Sequence, residues 1–177
     1  MKMTEVNKKY IEELISYAKE FGAEDAVYFD IKDIVFDSRT LLKCMFGCND
    51  WGKGLTCPSA NPQVTMAQYE EMFKRYSYGI IIHANNKKTN HDISYLIESK
   101  AFTDGYYLAF SLSDCAVCKT CAGFEGRDCV NKKKARPAFH SVGIDVFATV
   151  KKFGLPLYTL KEGDARSQNW YAAVFIE

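Results

Sequence analysis

All seven cysteines of this 177-residue chain fall in two stretches, residues 43–64 and 113–136, that show neither helical nor strand periodicity. Loops longer than about 15 residues without structure of their own are uncommon in compact domains and usually functional. Each stretch holds too few apolar side chains to offset the entropy of its own ordering, so another source of free energy is required. Thiolates around a metal supply one, because metal binding in such segments is coupled to folding. Disulfides are the competing explanation. An odd number of cysteines cannot pair off completely. Met1 to Lys9 is charged and leads into an amphipathic pattern, unlike a secretory signal. The expected location is therefore cytoplasmic, where structural disulfides are rare.

The spacings narrow the chemistry. The second stretch reads Cys115-Ala-Val-Cys118-Lys-Thr-Cys121, with Cys129 after seven more residues. Three thiolates at this spacing surround one centre, as in the opening of the bacterial ferredoxin pattern, where the fourth ligand is remote. Zinc ribbons more often show two separated pairs. The run therefore favours a [4Fe-4S] cluster, with zinc as the alternative. The first stretch reads Cys44-Met-Phe-Gly-Cys48, then eight residues, then Cys57-Pro58.

Two assignments follow, and the spacing leaves both open. Cys115, Cys118, Cys121 and Cys129 could complete one cluster, with Cys44, Cys48 and Cys57 holding a second. Alternatively Cys57 is the remote ligand of the close-spaced run, and Cys44, Cys48 and Cys129 form the other site. Two fully ligated four-iron clusters need more ligands than seven thiols provide. One position would remain for water, a substrate, His83, His91 or His140. His140, nearest the second stretch, is a further metal candidate. Lys132, Lys133, Lys134 and Arg136 follow Cys129 and could neutralise cluster charge from the second shell. Trp51, with Phe46 and Phe124, could exclude water.

The rest of the chain reads as an α/β or α+β fold: a single domain over 1–177, with a small mixed sheet flanked by about four helices and two long cysteine-rich metal-binding loops. Ile11, Leu14, Ile15, Ala18 and Phe21 give the first helix. Helices are also expected at about Thr65–Tyr76, through Ile93–Ala101, and from Pro137 towards Gly154. Strands are expected at Ala26–Phe29, Ile34–Phe36, Gly79–His83, Tyr106–Leu112, Leu155–Leu160 and Trp170–Ile176. The last two could pair as a hairpin, and a crossover could link the strand at Ile82 to that at Tyr106.

Other function classes have little support. Net charge is +1, so no global field attracts nucleic acid or an anionic membrane. The apolar runs are far shorter than a bilayer span. Phosphate-binding glycine loops, a zinc-protease helix motif and a serine nucleophile elbow are all missing from the sequence.

Taken together, Cys44-x3-Cys48-x8-Cys57-Pro58, Cys115-x2-Cys118-x2-Cys121, Cys129, Ala135-Arg136-Pro137 and Gly143-Ile144-Asp145-Val146 resemble the "predicted metal-binding protein" family, domain of unknown function two-two-eight-four. The resemblance implies iron–sulfur binding through these cysteines and carries no assigned reaction. The chain has Cys57-Pro58-Ser59 where relatives usually have Cys-Pro-Pro. It has Val130-Asn131-Lys132 where they usually have an early proline. It has Arg136-Pro137-Ala138-Phe139-His140 where they usually read Arg-Pro-Ser-Met-Glu.

The leading functional expectation is electron transfer to a redox partner protein through one or two clusters. A cluster with an open iron, binding a small-molecule ligand in a lyase or sulfur-transfer enzyme, is the second. A structural zinc-binding interaction module is the third. Homo-oligomerisation is compatible with the aromatic content.

Overall fold

The structure is a computed structural model that describes residues 5–60, 63–158 and 168–177. Helix α1 (Glu5–Glu20) buries Ile11, Leu14 and Ala18, a stripe at helical spacing. Strand β1 (Asp25–Asp30) follows, and Asp30 caps a short 3-10 turn over Ile31–Asp33. Helix α2 spans Thr40–Gly47. Helix α3 (Met66–Phe73) starts with a reciprocal capping box, in which Thr65 and Gln68 bond to each other's backbone. Strand β2 (Tyr78–Ala84) is buried along its whole length. Asn86 caps α4 (Lys87–Thr103), accepting from the Thr89 N–H at 2.8 Å. Strand β3 (Phe110–Leu112), helix α5 (Val146–Lys151) and strand β4 (Trp170–Phe175) complete the set.

The four strands form one sheet in the order β1-β2-β4-β3, and each pairing is antiparallel. The mixed α/β or α+β class expected from the sequence is the one observed, and the sheet is antiparallel rather than mixed. Because β2 and β3 both oppose β4, they run parallel to each other, and α4 makes the crossover between them. Their carboxyl ends therefore point the same way, which brings the start of α4 and the residues after β3 to one edge of the sheet.

Side chains alternate across the pleat. Ile80, Ile82, Ala172 and Val174 face a cluster with Ile11, Leu14, Ala18, Ile93 and Ile97 from α1 and α4. Ile81, Ala173 and Phe175 face the opposite cluster with Phe29, Phe73, Phe139, Val142 and Val150. Apolar layers thus cover both faces, and fully burying a Val, Leu, Ile or Phe side chain contributes about 1.5–3 kcal/mol.

Several expected elements differ. Ile34–Phe36 forms only an isolated bridge, Phe36 to Ile144. Only the last three residues of the Tyr106–Leu112 run are strand; Tyr106 to Ala109 close a turn through the Ala109 N–H to Tyr106 carbonyl bond of 2.9 Å. The helix expected from Pro137 is a 3-10 turn, Phe139–Val142, separated from α5 by Gly143 at φ +83°. That left-handed conformation is where a continuous helix cannot pass. Residues 155–158 form no strand, while Leu155 and Leu157 pack as coil against the core. Positions 159 and 160, and most of the proposed hairpin connection, lie outside the described residues. The described partners of β4 are β2 and β3.

Candidate metal centre

The first cysteine stretch contains a helix that periodicity does not reveal. Cys44 lies in α2, and Cys48 follows at its carboxyl cap, four residues on and therefore on one side of the helix. The helix is anchored at its start. The Asp37 N–H donates to the Gly143 carbonyl (2.8 Å) and the Asp145 N–H to the Val35 carbonyl (2.9 Å). This docks α2 beside the 3-10 turn that carries His140.

The second stretch starts just past β3 and is held by a buried polar network. The Glu98 carboxylate on α4 accepts from the Ser111 N–H (2.7 Å), the Ser111 hydroxyl (2.6 Å) and Arg136 Nε (2.7 Å), and its other oxygen meets Arg136 Nη2. The Arg136 guanidinium lies between the rings of Tyr95 and Phe110, 5.1 and 5.2 Å from their centroids. At the start of the stretch, Ser113 meets the buried His91 Nδ1 at 2.8 Å. One residue joins the two stretches: a Cβ on Gly123 would lie 1.7 Å from the Lys53 carbonyl oxygen. Only glycine allows that approach, which sets the turn after Cys121 against the segment leading to Cys57.

The result is a single cavity of about 190 Å³. Cys44, Cys48, Cys57, Cys115, Cys118, Cys121 and Cys129 all line it, as do Asp50, Asp114 and His140. Two of the sulfurs accept hydrogen bonds. Cys57 Sγ accepts from the Gly52 N–H (3.3 Å) and the Ser59 hydroxyl (3.0 Å), and Cys118 Sγ from Asn131 Nδ2 (3.0 Å). Such donors stabilise thiolates and orient metal-bound sulfur. Burial, with the nearby Cys48, Cys57 and Asp114, pushes the Cys44 thiol up to about 11. Metal binding there must displace a proton.

The donor set fits a thiolate-bound metal group. The sulfurs line a space rather than close on a point: among the described residues, no three His, Cys, Asp or Glu side chains are arranged to hold one ion. The cysteines are all free thiols.

Other candidates separate. Trp51 and Phe124 line the cavity, whereas Phe46 does not and is 82% exposed, so it shields nothing. None of Lys132, Lys133, Lys134 and Arg136 lines it. Lys132 meets Asp128 at 3.5 Å on the surface, and Arg136 is paired with Glu98. Among the described residues, the one Lys or Arg on the lining is Lys87, the first residue of α4, whose ammonium lies 5.6 Å from the Trp170 ring centroid. Sequence spacing gave no reason to choose it; the crossover brings it there. His83 and His91 are buried and satisfied elsewhere, His83 by Asp25 (2.9 Å) and Asn169 (2.8 Å).

Among the described residues, no helix is long and apolar enough to cross a membrane. No curated protein and no solved structure matches the chain. The family model described as "Predicted metal-binding protein (DUF2284)" matches residues 28–176 and so takes in both cysteine stretches. With most of its length matched, and with seven thiols around one cavity, the chain belongs to this family of predicted metal-binding proteins.

Proposed function

We propose that this protein is a cytoplasmic iron–sulfur electron carrier whose [4Fe-4S] cluster is held in the shared cysteine cavity. One observation carries the reading: thiols from two stretches far apart in the sequence line a single space, with hydrogen-bond donors already on two of the sulfurs. A closed zinc site draws four ligands to within about 2.3 Å of one ion. Sulfurs spread around a cavity suit a group in which each thiolate meets a different metal atom.

In this reading Cys115, Cys118 and Cys121 hold three positions and Cys57 the fourth. The contact between Gly123 and Lys53 supports that pairing of stretches. Cys44, Cys48, Cys129 and His140 line the same cavity. When bound, the cluster supplies one-electron transfer. The chain's own part is to exclude water with Trp51 and Phe124, to orient sulfur through the hydrogen bonds from Gly52, Ser59 and Asn131, and to offset negative charge with Lys87.

The test is the iron content of anaerobically purified variants. Cys115→Ser and Cys57→Ser should each lose the iron, and Cys129→Ser should retain most of it. Loss with Cys129→Ser and retention with Cys57→Ser would contradict the pairing.

A second reading has an observation of its own. A groove of about 900 Å³, lined in part by Arg39, Lys43, Asn49 and Asp145, shares Cys44, Cys48, Asp50 and His140 with the cavity. A small molecule could approach the metal group from that side, as an open-iron lyase or sulfur-transfer enzyme would require. A change in the cluster's spectrum on adding small carboxylates or thiols, absent with non-binding controls, would favour this reading.

A further inference from the structure

We infer that the aromatic groove beside Cys57 binds a quinone ring, the small-molecule partner that takes electrons from the bound cluster. The inference rests on the iron–sulfur reading, in which Cys57 is a cluster ligand, and names the partner class for that site.

The groove has a volume of about 400 Å³, within the usual range for small-molecule sites. Helix α3 supplies Tyr69, Met72 and Phe73, Tyr76 follows its end, and β3 supplies Phe110. The Phe73 ring centroid lies 6.2 Å from that of Tyr76 and 6.4 Å from that of Phe110, so one wall is a bed of rings. Tyr69, Tyr76 and Phe110 are half-buried and Met72 is 50% exposed, so solvent reaches this wall. Leu55, Thr56, Cys57, Ala135 and Ser141 line both the groove and the cysteine cavity. A flat molecule in the groove would share with the cavity the wall that carries Cys57.

The lining chemistry selects the ligand. Among the described residues, no Asp, Glu, Lys, Arg or His lines the groove. Flavin nucleotides, nicotinamide nucleotides and haem all carry phosphate or carboxylate groups, which need cations or a phosphate-binding loop to hold them. A neutral redox ring needs neither. One polar group suits it. The Tyr76 hydroxyl donates to the Leu108 carbonyl at 2.6 Å. The Tyr69 hydroxyl, in contrast, has no hydrogen-bond partner among the described residues, and burial alone raises its pKa. A quinone carbonyl would accept from it while the ring stacks on the aromatic wall.

The electron count closes. Each reduced cluster gives one electron and returns to its oxidised state. Two such transfers, with two protons from solvent, turn both quinone C=O groups into C–OH and yield the hydroquinone. A low-potential one-electron donor reduces the cluster again between them. No covalent bond to the protein forms.

The test titrates menadione into anaerobically purified protein with the cluster oxidised, so that calorimetry reads binding without electron transfer, and measures iron on the same samples. A parallel arm presents a long-tailed menaquinone in phosphatidylcholine vesicles. Binding in either arm supports the ring, and the arm that binds identifies its source. Association should be equal at low and physiological salt, because the ligand is neutral. Met72→Asp puts a charge in the groove and should weaken binding about tenfold or more. Tyr69→Phe should weaken it by about threefold to tenfold. Iron should be retained in both variants. After reduction and removal of excess dithionite, one menadione should reoxidise two clusters, more slowly in Met72→Asp. With iron present, no binding in either arm, equal binding of naphthalene or of a flavin mononucleotide, indifference to both variants, or self-association in place of ligand binding would each overturn the inference and leave the cluster reading standing. Iron-free protein that binds menadione with the same dependence on Tyr69 and Met72 would sink the cluster reading and leave the groove standing.

Discussion

The sheet and the cysteine stretches reach order by opposite means. On the sheet, β2 is buried throughout and both faces carry apolar layers. In residues 43–60 only Cys44 and Pro58 are buried, and in residues 114–136 only Ala122. The stretches are instead fixed at a few points: the Glu98–Arg136 pair, the Gly123–Lys53 contact, the bonds that start α2, and the thiols around the cavity. The sheet carries its own apolar core on both faces. The stretches have a framework of polar anchors around a cysteine-lined cavity.

The contrast breaks most visibly at Phe175. Its buried ring meets Phe29, Phe73 and Tyr76 at centroid distances of 5.1, 4.7 and 5.4 Å. Phe175→Ala should cost about 3–5 kcal/mol in a denaturant titration, with or without metal. A loss seen only in the metal-loaded protein would mean that sheet and stretches are not separate in stability.

Next comes the joint between them. Glu98→Ala leaves the Arg136 guanidinium unpaired between two rings and should cost roughly 3 kcal/mol. The damage should be local as well. Amide exchange should rise in residues 113–136 more than in β2 or β4. Uniform loss of protection would show that the network serves the core and not the stretch.

A smaller effect is pH-dependent. Burial holds His91 below its ordinary 6.5, with Arg136 and Lys88 acting in the same direction, and Asp92 and the Lys134 backbone opposing. In the folded protein the ring stays neutral while the unfolded chain takes up a proton, so the stabilisation is complete above about 6.5 and declines as pH falls towards the depressed folded value. Thermal melts should fall on acidification through that range, and His91→Gln should flatten the slope. An unchanged slope would assign the acid sensitivity to other groups.

The least disruptive change is Lys87→Met. It should alter stability by no more than about 0.5 kcal/mol. Removal of this lining cation should lower the midpoint potential of the bound cluster, whereas Lys133→Gln should not. Equal shifts for both would mean that charge acts diffusely across the stretch.

Much of the sheet side is readable from the sequence, because burial writes a helical period into α1 and α4 and a continuous apolar run into β2 and β4. Where burial does not write one, the reading fails. Helix α2 exposes Leu42, Met45 and Phe46, so its apolar residues mark no core face, and the four-residue spacing of Cys44 and Cys48 is its one helical signal. Tyr106 to Ala109 have strand-forming residues and fold as a turn. At the candidate centre, the seven cysteines and His140 were visible from type and spacing. Lys87 was not, because its place depends on β2 and β3 running parallel with β4 between them. The basic run after Cys129 misled in the same way: proximity in sequence put charge beside a cysteine but not on the cavity.

The central claim is that thiols of both stretches hold iron and inorganic sulfide in one cavity. Iron and acid-labile sulfide should therefore be quantified in the intact chain, purified without oxygen. The account predicts brown protein with about four of each per chain. Colourless protein holding one zinc and no sulfide would contradict it.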